Sequence, residues 1–118
     1  MTISTTNSKV ISDNRVIGVW KSFDYSPASG VAFIFLRNNE FKQFNYHNKD
    51  EQFKSKPNSI MWTGFGKWSL QGHVLKINIT SSSSNTKHSY TFIIKSLLQK
   101  KLVVLDKSDN KIYHFVKN

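Results

Sequence analysis

The sequence contains no cysteine and has only two prolines and five glycines in 118 residues. Without cysteine, the fold has neither a disulfide bond nor a thiolate metal site. The low proline and glycine content, with 38% hydrophobic and 14% aromatic residues, excludes a fibrous or disordered chain. A chain of this length buries enough apolar surface to fold as one domain without disulfides or a structural metal.

Long hydrophobic runs are absent as well. The longest, 31–36, is far shorter than the ~20 residues that a transmembrane helix needs. Both of its alternating sets of residues are apolar, which predicts a strand buried on both faces. Residues 1–15 are mostly polar and offer no signal-peptide core. We therefore predict a flexible N-terminal segment, 1–15, and one domain, 16–118, in the cytoplasm as written, and periplasmic or secreted only if a signal peptide has been removed.

The apolar segments are short, rich in Val, Ile, Phe, Tyr and Trp, and bounded by turn residues, which predicts strands. The eight predicted strands are 16–22, 31–37, 40–47, 61–70, 73–80, 87–95, 102–106 and 111–117. Asn38-Asn39 and Gln71-Gly72 suit tight hairpin turns. Residues 92–105 also fit the spacing of one amphipathic helix, and the sequence leaves this alternative open.

Eight short strands in up-and-down order predict an all-β fold, an antiparallel meander barrel whose last strand pairs with its first. Three segments resemble the small bacterial lipocalin-like domains of the calycin group: Gly18-Val19-Trp20-Lys21, Gly66-Lys67-Trp68-Ser69-Leu70 before Gly72, and 90–105 followed by Tyr113. The resemblance covers residues 16–117 and implies that Gly18 and Trp20 close one end of the barrel.

In lipocalins, an arginine late in the chain packs over the tryptophan at the closed end. This chain has only Arg15 and Arg37, so the late arginine is missing unless Lys111 or Lys117 replaces it.

The resemblance also implies a non-catalytic, lipocalin-like domain that binds a small, partly apolar ligand, and an anionic group on the ligand would suit nearby lysines. The residues predicted to form this site are Trp62, Phe65, Trp68, Tyr90 and Phe92, with Lys67 or Lys76 at its rim. An eight-stranded barrel either fills its interior with side chains or holds one small ligand. The sixteen aromatic residues suit both outcomes.

Motifs typical of catalysis or metal binding are missing. His47, His73, His88 and His114 are scattered, without a His-x-His or His-x-x-x-His pair. The sequence has no nucleophile elbow, no acid–base carboxylate pair and no glycine-rich phosphate loop. We therefore expect no enzyme, no metal site and no cofactor.

Acidic residues are scarce: 7 Asp and Glu against 17 Lys and Arg give a formal charge of +10. No acid lies within 52–105, and the basic face predicted there consists of Lys54, Lys56, Lys87, Lys95, Lys100 and Lys101. The alternative function is therefore a protein-interaction module, such as an inhibitor, an immunity-type protein or an adaptor, that meets an acidic partner. Nucleic acid is a less favoured partner, because only two arginines are present. The sequence does not indicate an oligomeric state.

Overall fold

The structure is a computed structural model, and it describes residues 13–22, 24, 30–47 and 60–117. After a short 3₁₀ helix, Asp13–Arg15, the described chain forms eight strands. They are β1 (Gly18–Ser22), β2 (Gly30–Phe35), β3 (Glu40–Tyr46), β4 (Ile60–Gln71), β5 (Val74–Ser81), β6 (Lys87–Leu97), β7 (Lys101–Asp106) and β8 (Lys111–Lys117). Each strand pairs antiparallel with the next, and β8 pairs with β1. The predicted all-β, up-and-down barrel is confirmed.

Residues that adopt a positive φ allow the tight turns between neighbouring strands. Asn39 and Gly72 have φ of 65° and 61° in the β2–β3 and β4–β5 turns, where the sequence predicts hairpins. Asn85 and Asn110, with φ of 59° and 60°, supply the same left-handed conformation in the β5–β6 and β7–β8 turns.

The helical alternative for 92–105 is excluded. Two strands occupy this range, and they pair in register from Phe92 with Asp106 to Leu97 with Leu102. Among the described residues, the structure has no helix of the length and hydrophobicity that crossing a membrane requires. The predicted N-terminal segment, 1–15, ends in the 3₁₀ helix Asp13–Arg15, and the rest of it lies outside the described residues.

An aromatic cluster occupies the middle of the barrel. Alternation along each strand turns one set of side chains inward. The ring of Phe33 lies at the centre of this set, with five other ring centroids 5.0–6.4 Å away. These rings belong to Phe35, Phe41, Tyr90, Phe92 and Phe115. The cluster is packed as a protein core is, so side chains fill the described interior at this level.

The two ends of the barrel differ. We call the end where β1 begins and β8 ends the closed end, and the opposite end, where β7 ends and β8 begins, the mouth. At the closed end, where β1 begins and β8 ends, Trp20 is fully buried and its Nε1 donates to the backbone oxygen of Val16 at 2.8 Å. The Arg15 guanidinium donates to the backbone oxygen of Leu97. Lys117 Nζ lies 5.3 Å from the centroid of the Trp20 ring. Of the two lysines that the resemblance offers, Lys117 therefore packs over Trp20.

Strand β2 is buried on both faces, as predicted. Phe33 points into the barrel, and Ala32 on the outer face is only 3% exposed. Lys21, the β1 neighbour of Ala32 in register, is 5% exposed, and burial lowers its pKa.

Replacing Gly18 with alanine is expected to destabilise the closed end. Gly18 has φ of 136°, and a Cβ at this position would lie 2.5 Å from Cε of Lys117. We expect Gly18→Ala to lower the free energy of unfolding by about 1–3 kcal/mol, because the backbone is strained there and Lys117 must move away from Trp20. Urea unfolding followed by tryptophan fluorescence measures this change.

The matched control for this experiment is Gly72→Ala. Its φ is also positive, at 61°, but nothing lies within 4 Å of the added Cβ. We expect a smaller loss of about 1 kcal/mol, from backbone strain alone. Equal losses in the two variants would contradict a contribution from the Lys117 contact.

Candidate functional site

Polar side chains enter the barrel interior at the mouth. On β3, Phe41, Gln43 and Asn45 share the inner face, so this surface changes from aromatic to polar along the strand. Gln43 lies beside Phe33 in register and is 4% exposed. Its Nε2 donates to Oδ1 of Asn45 at 2.8 Å, whereas its buried Oε1 has no partner among the described residues. A buried acceptor without a partner lowers the stability of the fold by about 1–3 kcal/mol. A ligand that donates a hydrogen bond to this oxygen would recover part of that free energy.

Tyr90 forms the aromatic floor beneath this polar group. Its ring stacks on Phe92, with centroids 5.4 Å apart and an interplanar angle of 12°, and it lies 5.7 Å from the ring of Phe33. Burial raises the pKa of Tyr90, the hydrogen bond with Gln43 opposes this rise, and the charge of Asp106 adds to it. The phenol is therefore neutral at physiological pH and hydrogen-bonded to the Gln43 amide.

Two carboxylates lie at the mouth, one at the end of β7 and one in the turn that follows it. Asp106 continues the inner face of β7 and is 3% exposed. Its Oδ1 accepts hydrogen bonds from the backbone N and the Oγ of Ser108, at 2.9 and 2.7 Å. Asp109 accepts a hydrogen bond from the hydroxyl of Tyr113.

A third carboxylate, Asp24, follows β1 on the same side of the mouth. Its Oδ2 accepts from the backbone N of His114 at 2.8 Å and lies 2.5 Å from Nδ1 of that ring. The field of all three carboxylates reaches Tyr113. Its hydrogen bond to Asp109 is the largest cause that raises the pKa of Tyr113 to about 12, followed by burial and by the charges of Asp109, Asp106 and Asp24. These carboxylates alternate with lysines, because Lys107 lies in the same turn and Lys111 begins β8.

The structure does not bring the aromatic residues of the predicted site together. Tyr90 and Phe92 are in contact inside the barrel. Phe65 lies on the outer face of β4 and is 53% exposed, so it does not face the barrel interior with Tyr90 and Phe92. Trp68 is buried toward the closed end, where its Nε1 donates to the backbone oxygen of Leu36 at 3.0 Å. The side chain of Trp62 lies outside the described part of the structure.

The predicted rim lysines are not at the mouth. Lys67 lies on the outer face of β4, where its Nζ is 3.7 Å from Oε2 of Glu40. Lys76 is exposed on the outer face of β5. Both alternate with inward residues, Trp68 and Leu75, so their charges face solvent outside the barrel.

The predicted basic face is divided in the structure. Lys87 begins β6 at the mouth, whereas Lys95, Lys100 and Lys101 are exposed near the closed end. Eight residues of extended chain separate Lys87 from Lys95, a distance of about 26 Å. The other two predicted members, Lys54 and Lys56, lie outside the described residues.

Sequence reasoning missed the polar group at the mouth. The signal was the shared face of Phe41, Gln43 and Asn45 in strand 40–47, because an inward amide beside an aromatic residue marks a place where the core ends. Asp106 gave a weaker signal, since an aspartate before a turn usually caps that turn, as it does here.

Among the described residues, no group of three or more His, Cys, Asp or Glu side chains is arranged to hold a metal ion. In comparisons with known proteins, the chain matches no family model, no curated protein and no solved structure. The resemblance to lipocalin-like domains therefore stays a prediction, and the site is judged on its geometry.

The phenol of Tyr113 is expected to titrate at a pH of about 12, because its hydroxyl donates to the Asp109 carboxylate. The same hydrogen bond lowers the pKa of Asp109. Its stabilising effect is complete at neutral pH, fades as the pH rises from the ordinary tyrosine value of 10.0 through about 12, and fades as the pH falls through the lowered pKa of Asp109.

NMR of ring-labelled tyrosine, which resolves the four tyrosines, measures this titration. In Asp109→Asn the pKa of Tyr113 should fall back toward 10.0. Asp24→Asn is the control and should shift it less, since Asp24 contributes only through its charge. A pKa that does not change in Asp109→Asn would contradict the assignment.

Proposed function

We propose that the protein is a non-catalytic barrel domain that binds one small, partly apolar molecule at the mouth. The observation that carries the proposal is the buried Oε1 of Gln43, an acceptor with no partner among the described residues. It lies next to the ring of Tyr90, so a polar anchor and an apolar surface meet at one place. Small-molecule sites typically combine these two features.

The packed interior supports a shallow site rather than a deep one. Trp20, Phe33, Phe92 and Phe115 are each at most 1% exposed, and they fill the barrel from the closed end to the level of Tyr90. The proposed ligand lies on the mouth side of these side chains and contacts the buried Oε1 of Gln43. The bound molecule is therefore small, on the scale of one ring or a short chain.

The acceptor of Gln43 and the buried Asp106 favour a ligand with a hydrogen-bond donor, above all an amine. A protonated amine donates to Oε1 of Gln43, is attracted by Asp106, and interacts favourably with the face of Tyr90. An anionic ligand, the option that the sequence suggested, is repelled by Asp106 and Asp109. It also gains nothing from Lys67 and Lys76, which face solvent outside the barrel.

The histidine–carboxylate pair at the rim suits a structural role. Asp24 accepts from the backbone N of His114 and contacts the ring of the same residue. These contacts tie β8 to the chain segment that follows β1, at the seam where the barrel closes. The pair therefore stabilises the closure of the barrel beside the proposed site.

Isothermal titration calorimetry with three matched probes tests the proposal: phenethylamine, phenethyl alcohol and hydrocinnamic acid. We expect the amine to bind most tightly, the alcohol more weakly and the acid least, because only the first two donate to Gln43 and only the amine is attracted by the carboxylates. Binding of none of the three would overturn the proposed site. Preference for the acid would contradict the proposed preference for a positively charged ligand.

Substituting Gln43 localises the binding. We expect Gln43→Leu to weaken amine binding about tenfold or more, because a hydrogen bond to a charged group contributes about 1.5–3 kcal/mol. The matched control is Gln71→Leu, the same change at an exposed position of the closed end, which should leave affinity unchanged. Circular dichroism confirms that both variants fold. Wild-type affinity in Gln43→Leu would place the ligand elsewhere.

A further inference from the structure

The outer wall carries an exposed aromatic ring among lysines. Phe65 is 53% exposed and points away from the barrel interior. Its partners in register are Lys42 on β3 and Thr80 on β5, and Thr80 in turn pairs with Lys87 on β6. Since side chains directly opposite on paired strands lie about 5 Å apart, this row places a lysine beside the phenyl ring on one side and a second lysine two strands away on the other.

A second row lies one step toward the closed end. It consists of Lys67, Asn78 and Ser89, which are partners across β4, β5 and β6. Glu40, the β3 partner of Lys67, is the one acid in line with this row among the described residues, and Lys67 pairs with it. We call six outward residues of the two rows the β3–β6 face: Lys42, Phe65, Lys67, Asn78, Thr80 and Lys87.

A concave surface adjoins the exposed ring. Lys67, Asn78, Thr80 and Lys87 line a groove of about 370 Å³, together with His88 and Ser89. Thr80 is also the cross-strand neighbour of Phe65, so the groove begins where the ring ends. A flat apolar surface and a basic, hydrogen-bonding hollow therefore lie side by side.

We propose that the β3–β6 face binds single-stranded nucleic acid, with a base stacked on Phe65 and the neighbouring backbone phosphates held by Lys42, Lys67 and Lys87. Proteins that bind single strands without sequence preference combine a positive groove with aromatic side chains on which bases stack. Thr80 and Asn78 add hydrogen-bond donors along the groove.

Charge and ring geometry favour this occupant over others. A membrane surface would require a larger contiguous apolar patch, whereas the two partners of Phe65 in register are Lys42 and Thr80. Sequence-specific duplex reading relies on arginine, and the chain has only two. Lysine contributes as a point charge toward phosphate, which suits a strand held without base readout.

Most of this face is distinct from the site at Gln43, because its side chains point outward whereas Gln43 points into the barrel. The carboxylates at the mouth lie on the other half of the barrel: Asp24 follows β1, Asp106 ends β7 and Asp109 lies in the β7–β8 turn. Among the described residues of the two rows, Glu40 is the one acid, so phosphates on this face meet mainly lysines.

Fluorescence anisotropy with labelled oligo-dT, oligo-rU and a duplex of equal length tests the proposal at several salt concentrations. We expect both single strands to bind more tightly than the duplex. Phe65→Ala should weaken oligo-dT binding about 5- to 150-fold, the fold-change that corresponds to the loss of one stacked base, and Phe65→Trp should preserve it. Lys87→Gln should reduce the slope of log Kd against log salt by about 0.7.

Two matched controls test whether the effects are specific to the β3–β6 face. Ile112→Ala removes another exposed apolar side chain, 44% exposed on β8, and Lys101→Gln removes an exposed lysine near the closed end. Neither should change the affinity for oligo-dT by more than about twofold. Because Phe65 is more than half exposed, Phe65→Ala is expected to fold normally, and its thermal unfolding checks this.

Three results would overturn the proposal. The first is no binding of oligo-dT at low salt. The second is wild-type affinity in Phe65→Ala, and the third is equal affinity for heparin and oligo-dT. The last two would mean that the face attracts any polyanion, including an acidic protein, through charge alone.

Discussion

The packing of Trp20 at the closed end is the constraint on which the rest of the barrel depends. Its indole donates to Val16, and Lys117 covers its ring, so one side chain joins the segment before β1 to β8. The same region holds the β1–β8 pairing, without which the sheet would have two open edges. Gly18 leaves the room through which the Lys117 side chain passes. Closure and sealing therefore rest on the same few residues.

Sealing one end determines where polar groups can lie inside. The cluster around Phe33 excludes water from the half of the barrel interior nearer the closed end. An inward polar side chain there would have no hydrogen-bond partner. Gln43 is the first inward polar residue beyond Phe41 on β3, and it already bonds Asn45 and Tyr90 rather than solvent. The mouth is thus the part of the interior that holds polar side chains as well as apolar ones. The Oε1 of Gln43, which has no partner among the described residues, lies there.

The strands and turns were predictable from sequence because alternation and turn residues are local properties, as Asn39 and Gly72 illustrate. The face on which Phe65 lies was not. Its inward neighbours are glycines, so hydrophobicity around 62–66 does not reveal which residues point inward, and an offset of one residue exchanges the two faces. The tertiary register decides: Gly66 lies opposite both Phe41 and Ile79, and a Cβ there would come within 1.7 Å of the backbone oxygen of Asn78. The polar group around Gln43 needed the same register to be recognised as a site.

The net charge does not show where on the barrel the charged side chains lie. The chain carries +10, yet the carboxylates at the mouth gather on one half of the barrel and the lysines around Phe65 on the other. Eight strands about 4.8 Å apart enclose a backbone cylinder about 12 Å or more across, which exceeds the screening length of about 8 Å in physiological salt. The charges nearest to each site therefore matter more than the net charge. A positive ligand beside Tyr90 lies within the field of Asp106, and an anionic strand on the β3–β6 face meets Lys42, Lys67 and Lys87.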